Sequence, residues 1–158
     1  MLCTAVLGAA CLLPPLPELP VLEEIELPVA GETDVVWNST NYKGKPVLLM
    51  VMGSWCPYCK MTMPALKVIA DEYGDKVEVV GIFVDTDPKA VKAAAVDHGM
   101  GDVKALYNGM EVAQMVGAEG FPHAVLFDQK HRLIDSWSGF SPERANDFRK
   151  ALKSIGVK

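Results

Sequence analysis

The feature that most constrains this 158-residue chain is a junction. Val47 to Met52 (VLLMVM) is six consecutive apolar residues, Gly53 and Ser54 end the run, and Cys56-Pro57-Tyr58-Cys59 follows at once. A continuous apolar run of that length, bounded by turn residues, predicts a central strand buried on both faces. From Cys56 onward Met63, Leu66, Ile69, Ala70 and Tyr73 recur at helical spacing, and Gly74 supplies a stop. The cysteine pair is therefore expected at the amino end of a helix that leaves a buried strand.

That placement has chemical consequences. A cysteine at a helix amino terminus faces unpaired backbone N–H groups and the positive end of the helix dipole. Both favour thiolate over thiol, whose free pKa is about 8.5. The thiolate is the species that attacks a disulfide sulfur. Cys59 lies about one helical turn beyond Cys56, so its sulfur can reach back, resolve a mixed disulfide and release the substrate. Pro57 costs little in the first turn, where its missing N–H would be unpaired anyway. A C-x-x-C can also be half a zinc site, or inert packing. Zinc needs two further ligands, and His98, His123 and His131 form no spaced pair. His98 and His131 are expected at the surface.

Charge and cysteine count narrow the class. Fifteen Lys and Arg against twenty Asp and Glu, a formal net charge of -5, argue against a nucleic-acid partner. Four cysteines (Cys3, Cys11, Cys56, Cys59) are too few for a disulfide scaffold. The length fits one domain. Residues 2–13 are an apolar run of signal-peptide length, short of the ~20 residues that span a bilayer. No Lys or Arg precedes it, and Gly8-Ala9-Ala10 before Cys11 look somewhat like a bacterial lipoprotein processing site, with Gly8 where Leu is usual. Pro14, Pro15, Pro17 and Pro20 make an extended linker. Residues 1–20 are thus read as an export or lipoprotein segment with its linker, and 21–158 as the folded domain. The expected location is periplasmic or cell-envelope, with Cys11 as the candidate membrane anchor.

The remaining pattern is α/β. Residues 22–27 and 33–37 suggest a marginal hairpin, and 38–45 a polar turn. Val77 to Val84 reads as a strand. Asp87-Pro88 opens a helix to His98, ended by Gly99. A short strand over 103–107 and a short helix over 111–116 follow. His123 to Asp128 and Leu133 to Trp137 read as strands joined by a turn at Gln129 to Arg132. Ser141-Pro142 opens a last helix with Ala145, Phe148, Leu152 and Ile155 on one face. Helices alternating with strands early and a hairpin late predict a mixed sheet covered on both faces.

Three segments in this order resemble the thioredoxin superfamily, and more narrowly the exported TlpA/ResA-type thiol–disulfide oxidoreductases, over residues 33–156. They are Lys43-Gly44-Lys45-Pro46, then Trp55-Cys56-Pro57-Tyr58-Cys59-Lys60 with Pro64, then Gly120-Phe121-Pro122 before Ala124 to Asp128. The resemblance implies a thioredoxin-like fold with a central mixed β-sheet flanked by helices, an amino-terminal hairpin and a central insertion at Asp87 to Ala118. It implies that Cys56 and Cys59 are catalytic, with Trp55, Pro57, Tyr58 and Lys60 around them. Pro122 would be a cis-proline beside the sulfurs, and the backbone of Phe121 would pair with an extended substrate segment. Trp55 would cover the disulfide or, equally, pack in the core. Pro64 would kink the first helix.

The chain departs from the family at its proton carriers. The buried Asp and its Lys partner usual in thioredoxins fall at Met50 and Gly81, and the Glu of many TlpA/ResA proteins falls at Thr62. Water, His123, and Glu78 or Glu119 remain as substitutes for handling the Cys59 proton; the alternative for His123 is a solvent-exposed strand residue. The Pro-Tyr dipeptide resembles that of glutaredoxins. The implied function is a thiol–disulfide oxidoreductase acting on protein cysteines, a reductase supplied by a membrane-bound electron donor. Cytochrome c maturation is one family-type task. The resemblance implies no cofactor beyond the Cys56–Cys59 disulfide and no metal. An oxidase or isomerase on the same fold is one alternative. A copper(I)-binding or delivery protein using Cys56, Cys59 and His123 is another, with Met50, Met52, Met61 and Met63 nearby. Methionines so placed are also ordinary core filler.

Overall fold

The computed structural model describes residues 21–158; the export, anchor and linker expectations for residues 1–20 lie outside the described residues. The chain forms β1 (Glu26–Pro28), β2 (Val36–Asn38), β3 (Val47–Met52), α1 (Pro57–Tyr73), β4 (Glu78–Phe83) and α2 (Pro88–Asp97). It continues through β5 (Lys104–Leu106), α3 (Met110–Met115), β6 (His123–Phe127), β7 (Leu133–Ser138) and α4 (Arg144–Ser154).

The apolar run is the middle of the main sheet, whose order is β5-β4-β3-β6-β7, and all six of its residues are buried. β3 and β4 are parallel, as are β4 and β5, so α1 and α2 serve as crossovers. β6 runs antiparallel to β3 and to β7. The pleat sorts the strand residues into two cores. Leu48, Met50, Met52, Ala124 and Leu126 face a layer holding both redox-pair cysteines and residues of α1, α2 and α4. Val47, Leu49, Val51, Val125 and Phe127 face a second layer with the hairpin and α3. The mixed sheet covered on both faces is therefore present, as is the insertion, built as α2, β5 and α3.

The amino-terminal hairpin forms as a short antiparallel pair, Glu26 to Pro28 against Val36 to Asn38. Such a pair is marginal alone. It docks on the sheet edge, where the Ala30 N–H donates to the Ala105 carbonyl (2.8 Å) and the Tyr107 N–H to the Pro28 carbonyl (3.2 Å). The polar turn contains a 3-10 turn, Ser39–Tyr42. The last helix starts at Arg144; Ser141 forms the turn before it, accepting from the Glu143 and Arg144 N–H groups. The surface placement expected for His98 and His131 fails, since both are buried. His131 occupies a left-handed corner (φ 59°) of the β6–β7 turn, with Nε2 3.1 Å from the Tyr42 carbonyl. His98 ends α2 with its ring 6.3 Å from that of Phe83. Tertiary cover at these turns and helix ends outweighs their polar character.

Candidate active site

The junction of β3 and α1 builds the site. The Cys56 N–H donates to the Gly53 carbonyl (3.1 Å), closing the turn from strand to helix. Cys56 has an extended backbone and caps α1, and the Cys59 N–H points at its sulfur (3.2 Å). Cys56 and Cys59 are joined as a disulfide. Cys59 is fully buried, whereas Cys56 keeps 8% exposure, so Cys56 is the sulfur open to attack from outside. Pro57 sits in the first helical turn and Pro64 lies inside α1 without ending it.

β6 supplies the opposite wall. The Phe121–Pro122 peptide is cis, and Cys56 Sγ lies 3.7 Å from the Phe121 carbonyl oxygen. The expected neighbours Phe121 and Pro122 are thus brought to the sulfur. The Pro122 carbonyl accepts from the Gly139 N–H (2.8 Å). Trp55, Tyr58, Met61 and Phe140 are all exposed. Core packing for Trp55 is overturned: it is 64% exposed. Its ring lies over Gly53, where a β-carbon would sit 2.7 Å from a ring atom. Lys60 turns outward and pairs with Asp97 on α2 (2.9 Å).

A further contact holds the loop. The Ser54 N–H and hydroxyl both donate to Asp85, at 2.9 and 2.5 Å. Asp85 was not among the residues singled out from the sequence. The available signal was an acid directly after a buried strand, at the carboxyl ends of parallel strands where α/β sites gather.

The proton carriers are sorted by the sheet. Met50 and Gly81 are register partners, and the space at Gly81 is filled by the Met100 and Met52 methyl groups. Thr62 donates to the Tyr58 carbonyl (2.8 Å). Glu78 pairs with Val47 at the far end of β3, about 17 Å of strand from the cysteine end at 3.3 Å per residue. Its carboxylate accepts from the Trp37 indole N–H (2.9 Å) and from Lys104 (3.3 Å). Glu119 is exposed. His123 is buried, which overturns the solvent-exposed reading, and it points away from the sulfurs. It pairs with Val51, whose side chain belongs to the layer opposite the cysteines, and its Nδ1 is 2.9 Å from Ser138 Oγ. Burial holds its imidazole below the ordinary value of 6.5, with the Val116 carbonyl acting in the opposite sense. The copper set Cys56, Cys59 and His123 is therefore split across the sheet. Among the described residues no three His, Cys, Asp or Glu side chains gather as a metal site.

A buried disulfide at a helix amino terminus, faced by a cis-proline that leads into the adjacent antiparallel strand, is the arrangement of a thioredoxin-like redox site. The Redoxin family profile matches residues 20–155, and the chain belongs to that family. A thioredoxin-like protein of Synechocystis is 41% identical over 58 residues, 37% of this chain and 53% of its own length. The thiol-disulfide oxidoreductase ResA of Bacillus thuringiensis is 28% identical over 100 residues, 63% of this chain and 58% of its own length. The chain thus spans little more than half of either relative. A structure from Chlorobium tepidum, described as a thiol:disulfide interchange protein DsbE, superposes with a TM-score of 0.78 at 17% identity, covering 89% of this chain and 98% of its own. The resemblance to TlpA/ResA-type proteins holds in fold and family.

Proposed function

We propose that this protein exchanges disulfides with protein cysteines and works as a reductase in the cell envelope. The observation that carries the reading is the Cys56–Cys59 disulfide capping α1, with Cys56 facing the carbonyl of Phe121. An extended substrate segment pairs with the Phe121 backbone as a short added strand. In the reducing direction the Cys56 thiolate attacks one substrate sulfur. A Cys56–substrate bond forms, and the second substrate sulfur leaves with the electron pair. The Cys59 thiolate then attacks Cys56 Sγ, forming the intramolecular disulfide and expelling the first substrate sulfur. The chain is oxidised by two electrons and its substrate reduced by two. A membrane-bound donor would restore the dithiol, and cytochrome c maturation is a family-type task for such a protein.

What supports the direction is how few polar partners the Cys56 sulfur has. Its sulfur receives one backbone N–H, and among the described residues no Lys, Arg or His nitrogen bonds to it. A strongly stabilised thiolate would make the couple oxidising. The apolar segment at 2–13 supports export. The test is a Cys59→Ser chain used as a trap, together with the wild-type couple equilibrated against a glutathione series. Capture of a protein partner on Cys56 and a potential near the thioredoxin end are expected. A potential near the DsbA end would replace the reductase with an oxidase; normal turnover of Cys59→Ser would sink the two-cysteine mechanism.

A further inference from the structure

The chain carries a formal net charge of -5, yet lysines gather at one pole of the main sheet. That pole is where β3 begins. The Glu78 N–H donates to the Pro46 carbonyl (2.9 Å) and the Gly44 N–H to the Gln129 carbonyl (3.0 Å). The segments leading into β3 and β4 and the β6–β7 turn therefore meet there. The residue after α4 joins them, since the Gln129 side-chain amide donates to the Ile155 carbonyl (3.0 Å).

Two clefts open at this pole, and Gln129 lines both. Lys43 and Lys130 line the first, with Thr40 and His131. Lys45, Lys76 and Lys158 line the second, where the Lys76 ammonium donates to the Lys158 carbonyl (2.7 Å). The acids that line them are Glu24 and Asp75. Five lysines against two carboxylates leave three positive charges uncompensated. Lys45 is half-buried and the other four lysines are exposed. Arg132, at the same turn, is spent on Asp128. By contrast, the cleft between the hairpin and α3 is lined by Glu23, Glu24, Glu26 and Glu111, and by no lysine or arginine.

The lysine pole also receives the chain from its apolar amino-terminal run. The Leu22 N–H donates to the His131 carbonyl (2.7 Å), and Val21 bridges Arg132. Residues 14–20 separate Val21 from the run at 2–13. Those seven residues reach at most about 25 Å. A run held in a bilayer therefore keeps this pole within about that distance of the lipid.

We propose that the lysine pole docks on the anionic headgroups of a phospholipid membrane, with the redox pair facing away from it. The proposal rests on the cell-envelope reading above. Each basic side chain near an anionic surface tightens binding by about fivefold. The attraction fades within a Debye length, about 10 Å at 0.1 M salt. A domain tethered within reach of the surface settles with its lysines towards it. β3 then stands between the lipid and the chemistry: Val47 leaves the lysine pole, and Met52 leads to the cysteines about 17 Å away. Substrates and electron donor must meet Cys56 at that height above the headgroups.

The test uses the full chain and lipid vesicles. Binding to vesicles with about one-third phosphatidylglycerol is expected to be about 10²-fold tighter than to pure phosphatidylcholine at about 0.1 M salt, as three uncompensated charges imply. The gain should vanish at about 1 M salt, where the Debye length is about 3 Å. It should vanish equally in the triple variant Lys43→Glu, Lys45→Glu, Lys130→Glu. Inorganic phosphate at constant ionic strength should not displace the chain. No preference for anionic vesicles, or a preference that survives the triple reversal, overturns the proposal. Displacement by phosphate also overturns it, because a free-anion pocket would then explain the lysines. Orientation is read on the reduced chain carrying Cys3→Ser and Cys11→Ser. Its reaction with a neutral, water-soluble disulfide should keep the solution rate on anionic vesicles. A slowing of about tenfold or more would put the cysteines at the lipid and overturn the proposal. Should the triple variant not fold, the salt dependence and orientation of the intact lysine pole decide the matter. Failure of the full chain to bind neutral vesicles would instead overturn the reading of residues 2–13 as a membrane segment, and the anionic preference would still test the lysine pole.

Discussion

The two ends of the parallel strands β3 and β4 are built from opposite materials. At the amino end Glu78 is buried with the Trp37 indole and Lys104, and the Lys104 ammonium stands 5.9 Å from the Tyr42 ring centre. Burial first, and then the Glu78 charge, push the Tyr42 hydroxyl above its ordinary value. At the carboxyl end, beneath the cysteines, Met50, Met52, Met63 and Met100 pack where a thioredoxin carries an acid and a lysine. The buried charge of the sheet therefore anchors a hairpin, and the redox end is left apolar. A buried ionic group is retained for what it positions as much as for what it stabilises.

Ways of breaking this contrast differ in size. Removing the Cys56 sulfur as Cys56→Ser is expected to abolish disulfide exchange while leaving thermal unfolding of the reduced chain nearly unchanged, read by insulin-type turbidity and calorimetry. Glu78→Ala should do the reverse. It strands the Trp37 N–H and the Lys104 charge, with an expected loss of about 3 kcal/mol, the low end for a broken buried pair because Lys104 is partly solvated. Exchange rates measured below the new melting point should stay within about twofold. A comparable loss of exchange would mean the two ends are coupled.

The loop clamp is smaller. Ser54→Ala and Asp85→Asn, with the double variant, should show a coupling of about 1 kcal/mol in urea unfolding, the usual range for residues sharing hydrogen bonds. A shift of the redox potential in both single variants would add a positioning role.

Acid should act on the β6 strand and on the turn that follows it in two separate windows, both as pH falls. His123 is held by burial below 6.5, so the folded chain binds fewer protons than the unfolded chain between the two values. Stability is then full above 6.5 and falls as pH drops toward the folded value. For Asp128 burial acts first, to raise its carboxyl; the Arg132 and Lys130 amides and the Arg132 guanidinium outweigh it and hold the group below 3.8. Its contribution is complete above 3.8 and lost as pH falls through the lower folded value. Urea midpoints against pH should show both declines, and His123→Gln should remove only the upper one. Smallest of all, Gly81→Ala asks only two methionine tips to move, so a cost below about 1 kcal/mol is expected.

Much of this architecture could be read in the chain. The apolar run and the Cys-x-x-C fixed β3, α1 and the redox pair, because both signals are local: unbroken burial and a helix start. Met50 and Gly81, the places of the thioredoxin Asp and its Lys partner by resemblance, proved to be partners across the sheet. The misreadings concern the direction in which single side chains face. All five residues of β6 are buried, so its pattern carries no amphipathic sign of which way His123 faces. Pairing with Val51 settles that, and a slip of one residue would reverse it. Trp55 reads as core by composition, but the turn over Gly53 throws it outward.

The sequence by itself determined the chemistry available: two thiols at one helix start, a proline to face them, and no acid at the usual places. Only the tertiary structure decided which other groups share their layer. Asp85 reaches Ser54 across 31 positions, and Lys60 reaches Asp97 across 37. His98, polar and at a helix end, is buried with its ring against Phe83 of β4. Burial of a polar side chain depends on packing between elements far apart in the chain, and no local pattern encodes it.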